Sequence, residues 1–390
     1  MKNSGLTLLL TGIFTVLAGT FASPEIAIAQ VKTAKAIKTE QPDWLQPESI
    51  LKIADKVFDY QQNNHTGKEL WEWEYGAYYS GLFDFYKVNP QVKYLEAMVK
   101  MGEDWKWAMR PRPYDANAFA IGHMYMGLYK ILRVHKIIDK TVYCLDAAFV
   151  RTPKEPDVTF EGNRYWFNWW SWCDALFMAP PTFALYAEIS GEKKYLDEMH
   201  KLWTITHKYL YDNDEHLYYR DDRYFKQRTP AGKKVFWSRG NGWVFAGLAK
   251  VLRAMPEDYE HYPFYLNLYK EMAVKLKAIQ LKDGYWSSSL LDPTHFGGKE
   301  TSGTGFYCFA LAWGINNGIL PADEYKPCVL KAWELLVSCV NGQGRLGYVQ
   351  RVGDQPDSVL YEHTEAYGSG AFLLAASEVW KLFADMGVNK

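Results

Sequence analysis

Net charge and long basic runs are missing from this sequence. Its 390 residues include 44 lysines and arginines against 45 aspartates and glutamates, giving a formal net charge of −1. Proteins that bind a nucleic-acid backbone neutralise its phosphates with a basic face or stripe. The balanced composition therefore argues against a nucleic-acid partner.

Cysteine is sparse, and the common reactive motifs are absent. Five cysteines occur without a Cys-x-x-Cys pair, so we expect buried free thiols rather than a disulfide framework. No group of His, Cys and acidic residues has the spacing of a metal site, and no Gly-x-Ser-x-Gly elbow presents a serine nucleophile. We expect no metal and no other cofactor.

Apolar runs that could cross a membrane are lacking after the N-terminus. Lys2 precedes an apolar stretch at residues 6–22, and small residues ending at Ala29 fit a signal-peptide cleavage site. An uncleaved membrane anchor is the alternative, but the stretch is shorter than the roughly 20 residues that span a bilayer. We expect export to the periplasm or the medium, with no membrane contact after cleavage. The predicted order is a signal peptide at 1–29, a linker at 30–49 and a single catalytic domain at 50–390.

Aromatic residues and helical periodicity are what the chain has in abundance. The 16 Trp, 28 Tyr and 20 Phe exceed what packing needs, and such residues often line sugar-binding clefts. Small residues open apolar helices at six places, and an amphipathic helix follows each; the markers are Gly76, Asp115, Asp174, Gly242, Gly303 and Gly368. Six hairpins predict an all-α fold, an (α/α)6 barrel with the apolar helices inside. An open α-solenoid is the alternative, but its units are usually shorter.

One carboxylate, Asp174, follows a cluster of four tryptophans at residues 166–172 and opens an apolar helix. Apolar surroundings raise a carboxyl pKa, and a carboxyl that keeps its proton near neutral pH can act as a general acid. The alternative is a helix N-cap, a favoured place for Asp. A second candidate, Asp115, sits at another helix start, where a cap and a paired catalytic acid are equally compatible with the sequence.

A second run, Phe-Trp-Ser-Arg-Gly-Asn-Gly-Trp at residues 236–243, places Arg239 between Trp237 and Trp243. A guanidinium can hold a carboxylate through two parallel hydrogen bonds, while indoles flank a sugar ring. Nucleotide binding by the glycines is disfavoured because no strand precedes them. The run predicts a substrate-binding turn at the mouth of the barrel.

Three cationic side chains are further candidates for binding an anionic substrate: Arg164, His216 and Arg220. A solvated charged loop is the favoured interpretation for the residues that follow, Asp221, Asp222 and Arg223.

Several of these runs together resemble glycoside hydrolase family 105, the unsaturated rhamnogalacturonyl hydrolases, and more distantly the unsaturated glucuronyl hydrolases of family 88. The resemblance spans about residues 50–385 and rests on Trp-Cys-Asp-Ala-Leu-Phe-Met (172–178), Trp-Ser-Arg-Gly-Asn-Gly-Trp (237–243), Ser-Ser-Leu-Leu-Asp-Pro (288–293), Glu-Thr-Ser-Gly-Thr (300–304) and Tyr-Gly-Ser-Gly-Ala-Phe (367–372). It implies an (α/α)6 barrel, which agrees with the hairpin count.

The resemblance also implies a reaction. Enzymes of this family hydrate the C4=C5 double bond of an unsaturated uronic acid that a polysaccharide lyase leaves at the non-reducing end. Asp174 would protonate C4 and assist attack of water at C5, with Asp115 as the second carboxylate. Trp172 would shape the pocket, and Arg239, Trp237 and Trp243 would bind the sugar.

The chain departs from the family at two places that hold the uronate: it has Arg220 where a His tends to stand, and Asn163-Arg164 where a His-Lys pair stands. The resemblance implies a pectin-derived unsaturated rhamnogalacturonyl substrate, and these two departures make an unsaturated glucuronyl residue from ulvan, a sulfated algal polymer, its rival. A non-catalytic carbohydrate-binding protein and a sugar epimerase with His bases are alternatives from other classes. The sequence predicts no particular oligomeric state.

Overall fold

The computed structural model describes residues 42–65, 69–110, 112–151 and 154–384. In these residues, α-helices form two concentric rings. The outer ring consists of α1 (Pro47–Asn63), α3 (Val92–Asp104), α5 (Asp139–Ala148), α8 (Lys194–Leu210), α10 (Tyr262–Ile279) and α12 (Ala322–Ser338). The inner ring consists of α2 (Trp73–Val88), α4 (Gly122–Leu132), α6 (Ala175–Met178), α7 (Pro180–Ser190), α9 (Ser238–Ala254), α11 (Thr301–Asn316) and α13 (Ala366–Ala384).

The inner ring is closed. Each inner helix packs against the next, and α13 packs against α2, so the predicted (α/α)6 barrel is confirmed. The third inner position is divided into α6 and α7 because Pro180 lacks the N–H that a continuous helix would use. Closure requires a close backbone approach: a Cβ on Gly370 of α13 would lie 2.7 Å from the Cα of Tyr78 in α2. Only glycine allows this contact.

The loops at the two ends of the barrel differ in length. Inner and outer helices alternate along the chain, so all inner helices begin at one end, which we call the mouth. Connections at the opposite end span three to seven residues, whereas those entering the mouth span nine to 27. One mouth loop contains the only two strands among the described residues, β1 (Tyr211–Asp212) and β2 (Leu217–Tyr218), which pair antiparallel. The mouth therefore has the chain length to build a site.

The folded domain begins earlier than predicted. A 3-10 turn spans Asp43–Leu45 and α1 starts at Pro47, both inside the segment assigned to the linker. The described residues from Asp43 onward cluster as one compact unit. The predicted signal peptide at 1–29 and the linker up to residue 41 lie outside the described residues. Within the described part, no helix is both long and apolar enough to span a bilayer.

Candidate active site

Asp174 lies immediately before α6, and its carboxylate is not used as a helix cap. Its backbone is already helical, with φ −60° and ψ −27°, and its side chain makes no capping hydrogen bond. The neighbouring Cys173 N–H donates instead to the carbonyl of Arg220 at 2.9 Å, which fixes the entry into α6. The simplest structural explanation for an Asp here is thereby removed.

The Asp174 carboxyl is buried beside a cation. The residue is 8% exposed, and Arg220 Nε lies 3.5 Å from its Oδ2. Burial raises the pKa of Asp174, while the charges of Arg220 and Arg239 oppose that rise. The net shift is upward, so this carboxyl holds its proton at a higher pH than an ordinary aspartate. Such a group can deliver a proton to a substrate.

Aromatic rings form a continuous wall beside this carboxyl. Trp172 is buried and meets Trp166 edge to face at 4.6 Å between ring centroids. Trp166 in turn lies 4.8 Å from Phe160, and the guanidinium of Arg220 lies over the Phe160 ring at 4.7 Å. The wall thus leads from the residue two positions before Asp174 to the cation that faces it.

Arg220 belongs to a network of two arginines and two aspartates. Asp221 is fully buried and accepts from Arg220 Nη1 at 2.6 Å and from Arg223 Nη2 at 2.8 Å. Asp354, from a distant mouth loop, accepts from Arg223 Nη2 at 2.6 Å. Arg220 Nε makes no hydrogen bond to any described residue. The network holds the Arg220 guanidinium in place with one donor unused.

The expectation of a solvated charged loop at 221–223 is wrong. Asp222 accepts from the backbone N–H groups of Phe160 and Glu161 and from the Tyr209 hydroxyl. It therefore orders the loop that carries the aromatic wall. The sequence shows only a run of charges here, because the two backbone donors lie 61 and 62 residues away and the Tyr209 hydroxyl lies 13 residues away.

Asp115, by contrast, does serve as a cap. Its Oδ1 accepts from the Asn117 N–H at 3.1 Å at the start of a 3-10 turn, and its Oδ2 pairs with Arg110 at 3.0 Å. Burial raises the pKa of Asp115, and Arg110 opposes that rise. The turn it caps packs against α6, which places Asp115 near the helix that follows Asp174. A catalytic role for Asp115 stays a prediction.

Arg239 has a structural role that differs from the predicted hold on a substrate carboxylate. It is fully buried, and its guanidinium donates to three backbone carbonyls, those of Gln350 (2.7 Å), Arg351 (3.0 Å) and Gly353 (3.3 Å). Its charge still lowers the pKa of Asp174. Arg239 therefore attaches the 350–353 loop to the start of α9, and its positive charge influences the pKa of Asp174.

The two tryptophans around Arg239 also differ from the prediction. Trp237 is buried and donates from Nε1 to Gln350 Oε1 at 2.8 Å. Trp243 is fully buried inside the barrel, with Phe306 at 4.3 Å and Phe177 at 4.8 Å between centroids. Both pack within the protein, so their predicted sugar contact is not what the geometry shows.

The remaining cationic candidates, Arg164 and His216, lie in different loops. Arg164 is exposed and lies over the Tyr165 ring at 5.0 Å, in the loop that also carries Phe160 and Trp166. His216 does not belong to this group: it occupies a left-handed position in the β1–β2 turn (φ 52°) and faces Glu271 of the outer helix α10, with Nδ1 3.6 Å from Oε2. Its predicted contact with substrate is corrected accordingly.

Gln350 is a residue that sequence reasoning missed. Its Oε1 accepts from Trp237 and from Ser288 Oγ (3.3 Å), and its carbonyl accepts from Arg239. Glu300 caps α11 through two backbone amides and is 3.4 Å from the Gln350 N–H. The recognised runs at 237–243, 288–293 and 300–304 therefore converge on Gln350, which lies in no motif of its own.

No three His, Cys, Asp or Glu side chains within the described ranges are grouped so that they could hold a metal ion. All five cysteines are buried and unbridged. The site thus consists of an acid, a fixed arginine network and an aromatic wall.

Comparison with known proteins identifies the family. The profile of glycosyl hydrolase family 88 matches residues 49–383. The chain belongs to this family. It is a glycosidase.

Relatives of this glycosidase cover most of its length. A Formosa agariphila protein named unsaturated 3S-rhamnoglycuronyl hydrolase is 40% identical over 326 residues, 80% of this chain and 85% of that protein. A protein of the same name from Alteromonas sp. is 35% identical over 361 residues, 89% of this chain and 86% of that protein. A solved family 88 structure from Bacteroides vulgatus is 30% identical with a TM-score of 0.77, covering 85% of this chain and 98% of that one.

Proposed function

We propose that this glycosidase removes a 4,5-unsaturated uronyl residue from the non-reducing end of lyase-made oligosaccharides, with Asp174 as the general acid. The observation that carries the proposal is the environment of the Asp174 carboxyl. It is buried, its pKa is raised and it caps no helix. It lies 3.5 Å from Arg220, which Asp221 holds in place. The unsaturated uronyl class agrees with the names of the two relatives.

The reaction follows from the substrate's own electronics. Protonation of C4 by Asp174 moves the double-bond electrons so that a cation develops at C5, where the ring oxygen stabilises it. Water attacks C5 and returns its proton to the Asp174 carboxylate, leaving a hemiketal. The hemiketal opens to a ketone at C5, and the resulting hemiacetal at C1 releases the next sugar as an alcohol. One water is consumed, and Asp174 ends protonated, as it began.

Arg220 would hold the uronate carboxylate in this scheme. Its side chain is fixed by Asp221 and is 11% exposed, so an incoming carboxylate could pair with its guanidinium. A guanidinium suits a planar carboxylate. Trp166, which is partly exposed and packs against the buried Trp172, would lie beside the sugar ring.

The parent polymer is the finer part of the proposal. The names of both relatives contain a rhamnoglycuronyl group marked 3S, which favours a rhamnose-linked, sulfated substrate of the ulvan type over a pectin fragment. Exposed Arg164 and Arg112, which lie over the Tyr165 and Phe167 rings, give the rim cations that a sulfate on the neighbouring sugar could reach. Export of the enzyme, proposed from its N-terminal sequence, would place it where such polymers are degraded.

A panel of unsaturated disaccharides tests the proposal. Products of ulvan, pectin and glycosaminoglycan lyases are incubated with enzyme while the absorbance of the conjugated double bond is followed. We expect the absorbance to fall fastest with the sulfated ulvan disaccharide and to stay constant with Asp174→Asn. A lyase would instead raise the absorbance of intact polymer, and a binding protein would change neither. Constant absorbance with all three disaccharides would exclude the hydrolase.

A further inference from the structure

A cavity opens at the end of the barrel opposite to the mouth. It has a volume of about 260 Å³ and lies between α2, α4, α7 and α9. Most of its lining residues come from the later turns of those helices, and His123 and Pro181 come from the first turns of α4 and α7. Pockets for drug-sized ligands usually occupy roughly 300–1,000 Å³, so this one suits a free anion or a single small sugar acid. Asp174 is not among its lining residues.

Cations outnumber carboxylates in the ion-pair network at this cavity. Asp84, almost fully buried, pairs with Lys87, with Lys250 at 2.8 Å and with Arg253 at 3.0 Å. Arg253 also pairs with Glu378 at 2.8 Å, which in turn pairs with Lys381. Four cations therefore share two carboxylates, an excess of two positive charges. The other charged pair in the lining, Lys130 with Glu188, is balanced at 2.5 Å.

Helix ends explain only part of this excess. Lys87, Lys130 and Arg253 lie in the last turns of their helices, where the partial negative charge of the helix dipole favours cations. Lys250 lies one residue before that turn, and its side chain is only 10% exposed. Burial lowers the pKa of Lys250 to about 8, because the charged ammonium is less favourable in this buried position and Asp84 offsets only part of that effect. An added anion would relieve that cost.

The inner wall of the cavity supplies polar but uncharged groups. His123 is buried between the Ser80 hydroxyl (Nδ1, 3.0 Å) and the Met178 carbonyl (Nε2, 3.2 Å). Because a carbonyl can only accept, Nε2 carries the hydrogen and Nδ1 accepts from Ser80. Burial lowers the pKa of His123 to about 3, so the ring stays neutral. Charge recognition therefore falls to the lysines and Arg253.

We propose that this cavity is a second binding site, separate from the catalytic mouth, for a small oxyanion: sulfate, phosphate or the carboxylate of a single sugar acid. Lys250 supplies the central charge, Lys87 and Arg253 supply further donors, and Phe83, Ile131 and Leu185 enclose the remainder of the ligand. The site does not depend on the identity of the catalysed reaction.

Calorimetric titration of the full-length enzyme tests this site. Sodium sulfate, sodium phosphate and sodium glucuronate are titrated separately at pH 7, against sodium chloride at matched ionic strength. We expect saturable binding of one site per chain for at least one oxyanion and none for chloride, and the three titrations show which source fits. In Lys250→Met we expect binding to weaken at least about tenfold, since a charged hydrogen-bond partner is lost.

Matched variants separate a local effect from a general one. Lys277→Met removes a lysine of the outer helix α10 that pairs with Glu324 at 2.8 Å, and it should leave anion binding unchanged. Leu185→Trp fills the cavity without altering charge and should also weaken binding. Hydrolytic activity of Lys250→Met at the mouth should persist, which reports an intact fold. Absence of saturable binding to the wild-type enzyme, or equal binding by Lys250→Met, would overturn the proposal.

The ionisable side chains that line the cavity predict how anion binding depends on pH. The ionisable groups facing the cavity are Asp84, Lys87, His123, Lys130, Glu188, Lys250 and Arg253. Of these, Lys250 has a pKa lowered by burial to about 8, and burial also lowers the pKa of Lys87, so both lysines lose charge at a lower pH than an ordinary lysine. Binding of sulfate should therefore be stronger at pH 7 than at pH 9.5. A constant affinity across that range would remove Lys250 from the site.

Discussion

Arg220 Nε lies 3.5 Å from Asp174 Oδ2, and the two side chains are equally shielded, at 11% exposure each. Burial pushes the pKa of the carboxyl upward and the guanidinium pulls it downward, with burial the larger effect. A substrate carboxylate bound to Arg220 would offset that pull. Binding of the proposed uronate would therefore raise the proton affinity of Asp174 at the moment when a proton has to be delivered.

Replacement of the acid should abolish turnover without unfolding the enzyme. Asp174→Asn keeps the shape of the side chain but removes its proton, and general acid–base groups contribute roughly 10²–10⁴-fold in rate. We expect kcat to fall by that amount in the double-bond absorbance assay, with an unchanged circular dichroism spectrum. Cys173→Ser, which alters the neighbouring thiol 3.5 Å from Oδ2, serves as the control and should retain most of the rate. Full activity of Asp174→Asn would refute its role.

The same substitution should affect stability in a pH-dependent way. The folded pKa of Asp174 lies above its ordinary value of 3.8, so the carboxyl contributes stability below the unfolded pKa and loses it as the pH rises through the folded pKa. Once ionised, the buried Asp174 carboxylate is therefore unfavourable to the folded state. Asp174→Asn should unfold at an equal or higher temperature than the wild type at pH 7, with the gain declining toward pH 4. A lower midpoint at pH 7 would contradict the sign of the shift.

Arg220 should control both substrate affinity and the pH profile. Arg220→Gln removes the charge that lowers the pKa of Asp174, so the alkaline fall of kcat/KM, which reports the free enzyme, should move to higher pH, while KM should rise because the uronate loses its partner. Arg220→Lys, which keeps the charge, should retain the wild-type pH profile better than the glutamine variant.

His216 provides the matched control for Arg220, because it belongs to the same mouth loop but contacts Glu271. His216→Ala should leave kcat, KM and the pH profile within about twofold, as surface substitutions usually do. A profile shift of equal size in His216→Ala and Arg220→Gln would show that the loop as a whole, and not the arginine, sets the pKa of the acid.

The fold was predictable because its signal is repeated along the chain. Six apolar helices, each opened by small residues, require partners, and alternation with amphipathic helices leaves a closed double ring as the packing solution. The burial of Asp174 was also predictable, since four tryptophans precede it in sequence. In both cases the information lies within about one turn or one hairpin of the residue concerned.

The partners of the arginines were not predictable from local sequence. Arg239 lies in a run typical of ligand binding, yet its acceptors are carbonyls some 111 to 114 residues further along the chain. A backbone carbonyl leaves no sequence signature, so the run could not show that its guanidinium was already engaged. The His216 error has a different origin: its turn conformation points it toward an outer helix, and no spacing rule reports that direction.

The attachment of the 350–353 loop by Arg239 leads to a prediction about stability. Arg239→Met would remove one donor from each of three carbonyls; the buried Gln350 carbonyl would keep the Tyr367 hydroxyl, and the carbonyls of Arg351 and Gly353 belong to exposed residues. A hydrogen bond to a charged group contributes about 1.5–3 kcal/mol, and water can replace it only at the exposed carbonyls, so a loss on the order of 2 kcal/mol is expected. Thermal unfolding should therefore occur several degrees lower.

Arg345 gives the comparison for this substitution. Its Nη1 also donates to a backbone carbonyl, that of Glu362 at 2.9 Å, but at an exposed position where water can replace it. Arg345→Met should change stability by no more than about 0.5 kcal/mol. Equal losses for the two variants would mean that burial of the carbonyls does not set the cost. If Arg239→Met instead kept its stability and only raised KM, Arg239 would contact the substrate directly, as its sequence context first indicated.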